Sequence, residues 1–441
     1  LKERLRNLPK YKVKGTVTDV TGPLVEAILP KVCIGDFCLI DNSIEAEVVG
    51  FKNGKTLLMA YTDTTGVKVG SRVEAKLTSL KIGVSDELLG TVIDPFGNPL
   101  NNERIIYTDF VLLKKEPINP LRRGRIKEPI DLGIRSINAL LTVGKGQRIG
   151  IFSGAGVGKS TLLGMISRFT EADINVIALI GERGREVREF IEDNLGEEGL
   201  KKSIIVVATS DQPPLAKIRA AFAACSIAEY FSHKGKNVIL LLDSLTRLAM
   251  AQREIGLAVG EPPTTKGYTP SVFSLMSKLI ERAGNFAGRG SITGVYTVLV
   301  EGDEISMDPV ADASVGFLDG HIVLSRELAN KRVFPSVDVL KSISRLTPQI
   351  VGEDVLKLQS IFLQLEATYQ ENKEMINLGL YKPGTSPKLD LVLKVHPKME
   401  NFLKQDTNQK VTLRESLSQL NSLIEYIKLE GESYGYQWGN L

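Results

Sequence analysis

Gln147-Arg148-Ile149-Gly150-Ile151-Phe152-Ser153-Gly154-Ala155-Gly156-Val157-Gly158-Lys159-Ser160-Thr161-Leu162 passes from an apolar stretch through small residues to a lysine and two hydroxyls. The pattern predicts a strand, a tight loop and a helix. Small side chains at Ser153–Gly156 and Gly158 let the backbone wrap around a polyphosphate with its N–H groups turned inward. Lys159 is then placed to reach the terminal phosphates, and the Ser160 hydroxyl to ligate Mg²⁺. The helix that begins near Ser160 points its positive dipole end at the same anion. One position departs from the pattern G-x-x-x-x-G-K-[ST], because Ser153 stands where the first glycine is usual. Gly-rich turns without a ligand exist, but the intact Gly158-Lys159-Ser160 behind an apolar strand argues for phosphate binding.

At 441 residues the chain is long for one domain, and two or three are expected. A hydrophobic share of 43% with 24% charged residues suits a globular protein with a large core. The net charge of +3 is too small to argue for nucleic acid or a membrane surface. No apolar run reaches membrane-spanning length, and no signal peptide is recognisable. The first residue is Leu1 rather than Met, so a short preceding piece is expected. Cys33, Cys38 and Cys225 make neither a metal pattern nor a disulfide framework, which suits a reducing cytoplasm. Cys33 and Cys38 sit among apolar residues and are expected to be buried. His233, His321 and His396 have no partner at metal spacing.

Three parts follow from patterning. Residues 1–14 carry Lys2, Arg4, Arg6, Lys10, Lys12 and Lys14 against Glu3 alone, as a solvated terminus or a docking arm would. From there to residue 78, short strands at Val13–Val20, Leu24–Leu29, Phe37–Ile40, Glu45–Phe51 and Lys55–Ala60 are broken by turns. Asn53-Gly54 among them is a strong hairpin signal. Such spacing predicts a small β-barrel. Glu26, Asp36, Glu45 and Glu47 in it argue against single-strand nucleic-acid binding, which wants basic and aromatic residues. Across 79–347, apolar runs at Gln147–Ser153, Ile174–Gly181, Ser203–Ser210, Val238–Asp243, Gly294–Val300 and His321–Ser325 alternate with helical patterns such as Pro214–Phe231 and Ser271–Ala283. This is the signature of βαβ units in a doubly wound parallel sheet, with ligands at the carboxyl ends of the strands. Residues 348–441 turn helical, over Glu353–Gly379 and Leu413–Leu429, with a break at Tyr381-Lys382-Pro383-Gly384.

Three more clusters fall at strand ends. Asn237–Asp243 closes an apolar strand with an acid that can hold Mg²⁺ through its water shell, opposite Ser160. In Ile180-Gly181-Glu182-Arg183-Gly184-Arg185-Glu186, Glu182 is the best-placed carboxylate to orient or deprotonate an attacking water, and Arg183 is a candidate for phosphate charge. A solvent-exposed charged turn would read the same. Ser342-Ile343-Ser344-Arg345-Leu346 is placed beyond the last strand, and Arg345 is either a guanidinium for transition-state oxygens or a surface salt-bridge partner. Phe334-Pro335-Ser336 offers an aromatic that stacks on adenine or fills core.

Together these segments resemble the rotary-type ATPases. The order Gly154-Ala155-Gly156-Val157-Gly158-Lys159-Ser160, Gly181-Glu182-Arg183-Gly184-Arg185-Glu186-Val187, Leu241-Leu242-Asp243-Ser244-Leu245-Thr246-Arg247 and Ser342-Ile343-Ser344-Arg345 is similar to that of their catalytic subunits. Ala251-Gln252-Arg253-Glu254-Ile255-Gly256, Gly260-Glu261-Pro262-Pro263, Gly267-Tyr268-Thr269-Pro270-Ser271-Val272-Phe273 and the stretch Val395–Leu403 narrow the resemblance to flagellar protein-export ATPases and their type III secretion relatives. The resemblance covers nearly the whole chain.

It implies an α/β fold: a RecA-like P-loop core (79–347), a small N-terminal β-barrel (1–78) and a C-terminal helical domain (348–441). It implies MgATP hydrolysis by a homohexamer. Gly156, Val157, Gly158, Lys159, Ser160 and Thr161 would hold the phosphates, with Ser160 and Asp243 at Mg²⁺. Glu182 would be the catalytic carboxylate beside Arg183, Arg247 would sit near the γ-phosphate, and Phe334 would stack on adenine. Arg345 would reach the neighbouring subunit's site. Ser153 fits the export branch, where a small residue other than Gly is common. Implied partners are stator and stalk subunits, the export gate, and exported proteins or their chaperones, in the cytoplasm peripheral to the inner membrane, with no nucleic acid. An injectisome ATPase and an ion-translocating rotary subunit remain the alternatives; a hexameric nucleic-acid translocase would need a basic, aromatic barrel.

Overall fold

The computed structural model describes residues 13–76, 80–101, 104–115, 118–300 and 305–434. The basic run before Val13 and the expected boundary at 78 lie outside them. Strands β1 (Val13–Thr21), β2 (Leu24–Ile28), β3 (Phe37–Ile40), β4 (Ile44–Lys52), β5 (Lys55–Ala60) and β6 (Arg72–Ala75) close into a barrel in the order β1-β2-β5-β4-β3-β6. The hairpin β4–β5 turns at Asn53 and Gly54, both at positive φ, as an Asn-Gly turn requires. Four-residue β6, too short for its sequence to announce, is the strand that pairs with both β1 and β3 and seals the barrel. Cys38 lies in its core, but Cys33 is exposed, contrary to expectation. The reason is local: Cys33 sits in the connection before β3, and its N–H is taken by the Asp36 carboxylate in a surface turn.

After a small two-stranded sheet of β7 (Lys81–Val84) and β9 (Asp109–Leu112), with β8 (Val92–Ile93) between them in sequence, the main sheet begins. It contains β10 (Arg148–Ser153), β11 (Ile174–Ile180), β12 (Ser203–Ala208), β13 (Val238–Asp243), β14 (Ile292–Leu299), β15 (Gly320–Leu324) and β16 (Val337–Ser344). Their order is β16-β15-β10-β14-β13-β11-β12-β8. All pairs are parallel except β15–β16. The expectation of a wholly parallel sheet is corrected at that edge, where the chain turns back through Phe334-Pro335, a cis bond. Consequently Ser342–Ser344 belongs to the last strand rather than lying beyond it. The half-exposed pattern of β16 hides it from a search for apolar runs.

Every residue of β11 and β13 is buried. Their alternation feeds two cores. Ile174, Val176, Ala178 and Ile180 join Val238, Leu240 and Leu242 on one face, under helices Pro214–His233, Leu245–Ala258 and Pro270–Ile280. Ile177, Leu179, Ile239 and Leu241 join the other, with helix Lys159–Phe169 and the C-terminal helices. At about 1.5–3 kcal/mol per fully buried aliphatic side chain, this double burial fixes strand register firmly.

The C-terminal part has three long helices, Glu353–Asn377, Pro387–Leu403 and Leu413–Ser433. The middle one was not anticipated because it carries Pro397 in its interior, a residue that usually argues against helix. Asp131 ties this layer to the core: it accepts from the N–H of Leu413 (2.9 Å) and from Asn138 (2.8 Å).

A buried ionic knot joins helix 214–233 and the turn just past helix 270–280 to the segment before residue 116. Glu229 accepts from Arg282 (2.6 Å) and Lys115 (2.7 Å), while Arg282 also donates to the Leu113 carbonyl. Arg282→Met leaves Glu229 with Lys115 alone and strips the Leu113 carbonyl and Ser226 hydroxyl of the Arg282 donor. It is expected to cost about 2–3 kcal/mol of stability, the scale of lost charged hydrogen bonds, read as a lower denaturant midpoint with unchanged slope.

Candidate active site at the strand ends

The loop after β10 turns through Gly156 (φ 75°) and Gly158 (φ 90°), left-handed conformations that L side chains rarely adopt. Helix Lys159–Phe169 starts directly from Gly158 with no side-chain cap, so its first N–H groups remain available to an anion. Ser160 is exposed at that N-terminus, with Thr161 half-buried behind it. Ser153, at the first loop position, is buried and its hydroxyl has no hydrogen-bond partner among the described residues.

Parallel register brings three strand ends together. Asp243 ends β13, beside Leu179 of β11, and β14 separates it from β10. Lys159 Nζ lies 2.5 and 2.6 Å from the two Asp243 oxygens and 3.5 Å from Glu182. Thr297 Oγ1, on β14, donates to Asp243 at 2.6 Å. Sequence reasoning missed Thr297; its only signal was a hydroxyl inside an apolar run. Burial pushes the Glu182 carboxyl up to about 7; Lys159 pulls it down, and Asp243 and Glu186 push it up further. Glu186 shares a hydrogen bond with Glu182 and lies below the usual carboxylate range because of it. A carboxylate poised near neutrality beside the Lys159 ammonium can accept a proton from water.

Arg247 sits one turn into the helix after Asp243, held at its N-terminus by Ser244 Oγ, which accepts from the Arg247 N–H (3.2 Å). Its stem packs against Gly181, where a Cβ would meet Arg247 carbons at 3.0–3.1 Å. The Arg247 Nε is buried without a partner among the described residues, so a cationic group is held beside Glu182 with a donor unused there. Phe334 packs on the loop, 3.6 Å from the position of a Gly158 Cβ, and the neighbouring Ser336 Oγ donates to the Val157 carbonyl at 2.6 Å. The Phe334 carbonyl accepts from the Gln405 N–H (2.8 Å), so the C-terminal layer also frames this aromatic.

Two predicted site residues are not brought in. Arg183 turns to solvent, its side chain 77% exposed and paired with Glu186. Arg345 follows β16 at the opposite end of the sheet. Its N–H donates to the Asp319 carbonyl and its guanidinium to the carbonyls of Val315 (3.1 Å) and Leu318 (3.4 Å). The length of β15 separates it from Ser153, on the order of 15 Å. A cavity of about 370 Å³ lies behind the loop, lined by Ser153, Val157, Arg326 and Glu366; Lys159, Glu182 and Asp243 do not line it.

Among the described residues no cluster of three or more acidic, His or Cys side chains forms a metal cage. Ser160 and Asp243 supply two hard oxygens, and the ammonium on Asp243 marks a place where positive charge is held. That donor set fits Mg²⁺, which keeps water and phosphate ligands instead of a full protein cage. No helix of the described residues is long and apolar enough to cross a membrane.

Comparison with known proteins gives three family matches along the chain. Residues 13–76 match the ATP synthase alpha/beta family β-barrel domain, 133–344 its nucleotide-binding domain, and 351–422 the T3SS EscN ATPase C-terminal domain. The chain is 53% identical to the flagellum-specific ATP synthase of Bacillus subtilis, covering 94% of this chain and 95% of that protein. It is 49% identical to that of Aquifex aeolicus, with 95% of each covered. The assembled ATPase EscN of the enteropathogenic E. coli type III secretion system superposes with a TM-score of 0.88 at 43% identity, over 93% of this chain and 100% of that one. A second EscN structure, in complex with its central stalk EscO, gives a TM-score of 0.85 at 42% identity, over 93% of this chain and 100% of that one.

The raised Glu182 carboxyl has a sign that can be checked. Its pKa rises on folding, so stability is fully present below the unfolded value and falls as pH climbs toward 7. Glu182→Gln is therefore expected to raise the melting temperature at pH 8 and leave it nearly unchanged at pH 4. The kcat/KM of the parent should fall as pH drops through about 7, the free-enzyme value.

Proposed function

Because the chain belongs to the flagellum-specific ATP synthase family, within the ATP synthase alpha/beta family, we propose that it is a homohexameric, Mg²⁺-dependent enzyme that energises protein export through a flagellar apparatus. That it is an ATPase of the type III secretion kind follows from its relatives; the ring, the metal and the apparatus are our reading. The observation that carries the chemistry is the meeting of Lys159, Asp243 and Glu182 at three strand ends.

In this reading Gly156–Thr161 wrap the triphosphate, and Lys159 leaves Asp243 for the β- and γ-phosphates. Ser160 and Asp243 would hold Mg²⁺, which when bound would supply neutralising charge to the phosphates. Glu182 takes the proton of the attacking water. Arg247 supports the γ-phosphate, and Phe334 stacks on adenine. Arg345, too far to serve its own loop, stabilises transition-state charge in the neighbour. Arg183, exposed and paired with Glu186 at the start of its helix, would reach the phosphates only by turning inward beside Glu182. The three units 1–78, 79–347 and 348–441 divide the labour into ring closure, hydrolysis and coupling to stalk, stator and gate. The enzyme would work in the cytoplasm at the inner-membrane face of the apparatus, receiving substrates or their chaperones. The C-terminal match to EscN keeps an injectisome as the second reading.

Lys159→Ala is expected to abolish ATP hydrolysis, and Glu182→Gln to bind MgATP with hardly any turnover; substantial activity in the first variant would overturn the site. Arg345→Ala should lose roughly a thousandfold in turnover, and mixing it with Lys159→Ala subunits should restore part through hybrid interfaces. The apparatus is read by what co-purifies: flagellar export components support the proposal, a needle complex the second reading.

A further inference from the structure

Asp319 is the residue on which both ends of the P-loop strand's entrance and the Arg345 turn converge. Its carboxylate accepts from Arg148 three times: from the backbone N–H (3.0 Å), Nε (3.0 Å) and Nη2 (3.1 Å). Its carbonyl accepts from the Arg345 N–H (3.0 Å) and from Gln147 Nε2 (3.2 Å). The same Gln147 nitrogen donates to Ser344 Oγ at 3.0 Å, and Ser344 Oγ donates to the Thr142 carbonyl at 2.8 Å. Arg148 is itself braced by Glu281, which also pairs with Arg123. Gln147 is fully buried, and Arg148 is mostly buried.

The clamp therefore fixes the chain at Ser344 and at the Arg345 N–H, while leaving the Arg345 side chain exposed. Charge-assisted bonds from a guanidinium fork are strong and directional. We propose that Asp319, clamped by Arg148, is a positioning residue for Arg345, setting the height at which that guanidinium enters the neighbouring subunit's site. The inference rests on the reading of Arg345 as a group acting between subunits. It goes further in naming what aims it. Because Arg148 opens β10 and Ser153 closes it, the clamp also ties the aim of Arg345 to the strand that carries the chain's own phosphate loop.

The test uses assembled full-length protein. Asp319→Ala is expected to lower kcat about tenfold or more, the scale of an ångström-level misplacement, with the KM for ATP within about twofold. Mixing Asp319→Ala with Lys159→Ala subunits should recover activity, since the latter bring well-aimed Arg345 to intact loops. The Arg345→Ala and Lys159→Ala mixture is the reference. Recovery in the reference but none with Asp319→Ala overturns the positioning role. No recovery in either overturns action between subunits, and the inference with it. An unchanged kcat, or a loss carried by KM, also overturns it. If Asp319→Ala does not assemble, Asp319→Asn and Arg148→Met loosen the clamp from either side and must show the same kcat loss and the same recovery.

Discussion

The sheet is buried on both faces, and that single constraint decides where chemistry can occur. No residue of β11 or β13 reaches solvent, so a polar side chain in mid-strand would face one of two hydrocarbon cores. Functional groups are pushed to the strand ends. At the carboxyl ends the strands release the phosphate loop, Glu182 and Asp243. At the opposite end lie Arg148 and Asp319, at the amino ends of β10 and β15, and Arg345, which follows antiparallel β16. The two polar layers are parted by the length of the strands, and β10 runs from one to the other.

Within the carboxyl-end layer the charge balance is unfinished. Lys159 faces two carboxylates, and burial already pushes Glu182 to about 7. An anionic phosphate would draw Lys159 away from Asp243, and the carboxylate would then need another cation. In the proposed reading Mg²⁺ at Asp243 and Ser160 would answer that need with few protein ligands. Thr297 keeps one Asp243 oxygen occupied and oriented throughout. The raised Glu182 is thus first a consequence of burial at the strand end, with the neighbouring carboxylates of Asp243 and Glu186 adding to it.

Much of this was legible because double burial writes itself into sequence. Continuous Val, Ile and Leu runs marked β10 to β15, and the loop glycines marked the turn whose positive φ they permit. What escaped was governed by tertiary context. Edge strand β16 is half exposed, β6 is four residues long, and Pro397 is tolerated inside a helix held by its neighbours. Cys33 is exposed because a turn, not a strand, holds it. In the site, Lys159, Glu182 and Asp243 were visible from spacing, since each follows an apolar strand. Thr297, Ser336 and Asp319 were not, because their partners lie 54, 179 and 171 residues away in sequence. Arg183 shows the converse: its place beside Glu182 in sequence says nothing of its direction, and the helix cap turns it outward.

Arg345 poses the sharpest question of purpose within one chain. It is exposed at the amino-end layer, with two carbonyls taking part of a guanidinium that has five donors. An arginine with only a stabilising role gains little from such a place, because exposed polar contacts contribute weakly. Yet the backbone around it is fixed by a buried glutamine and a triply bonded carboxylate, far more order than a surface side chain needs. A rigid mount under an exposed cation is sensible when the cation's partner lies outside the chain. In the proposed reading that partner is the carboxyl-end layer of a neighbouring subunit, and a ring of identical subunits would bring the two layers together.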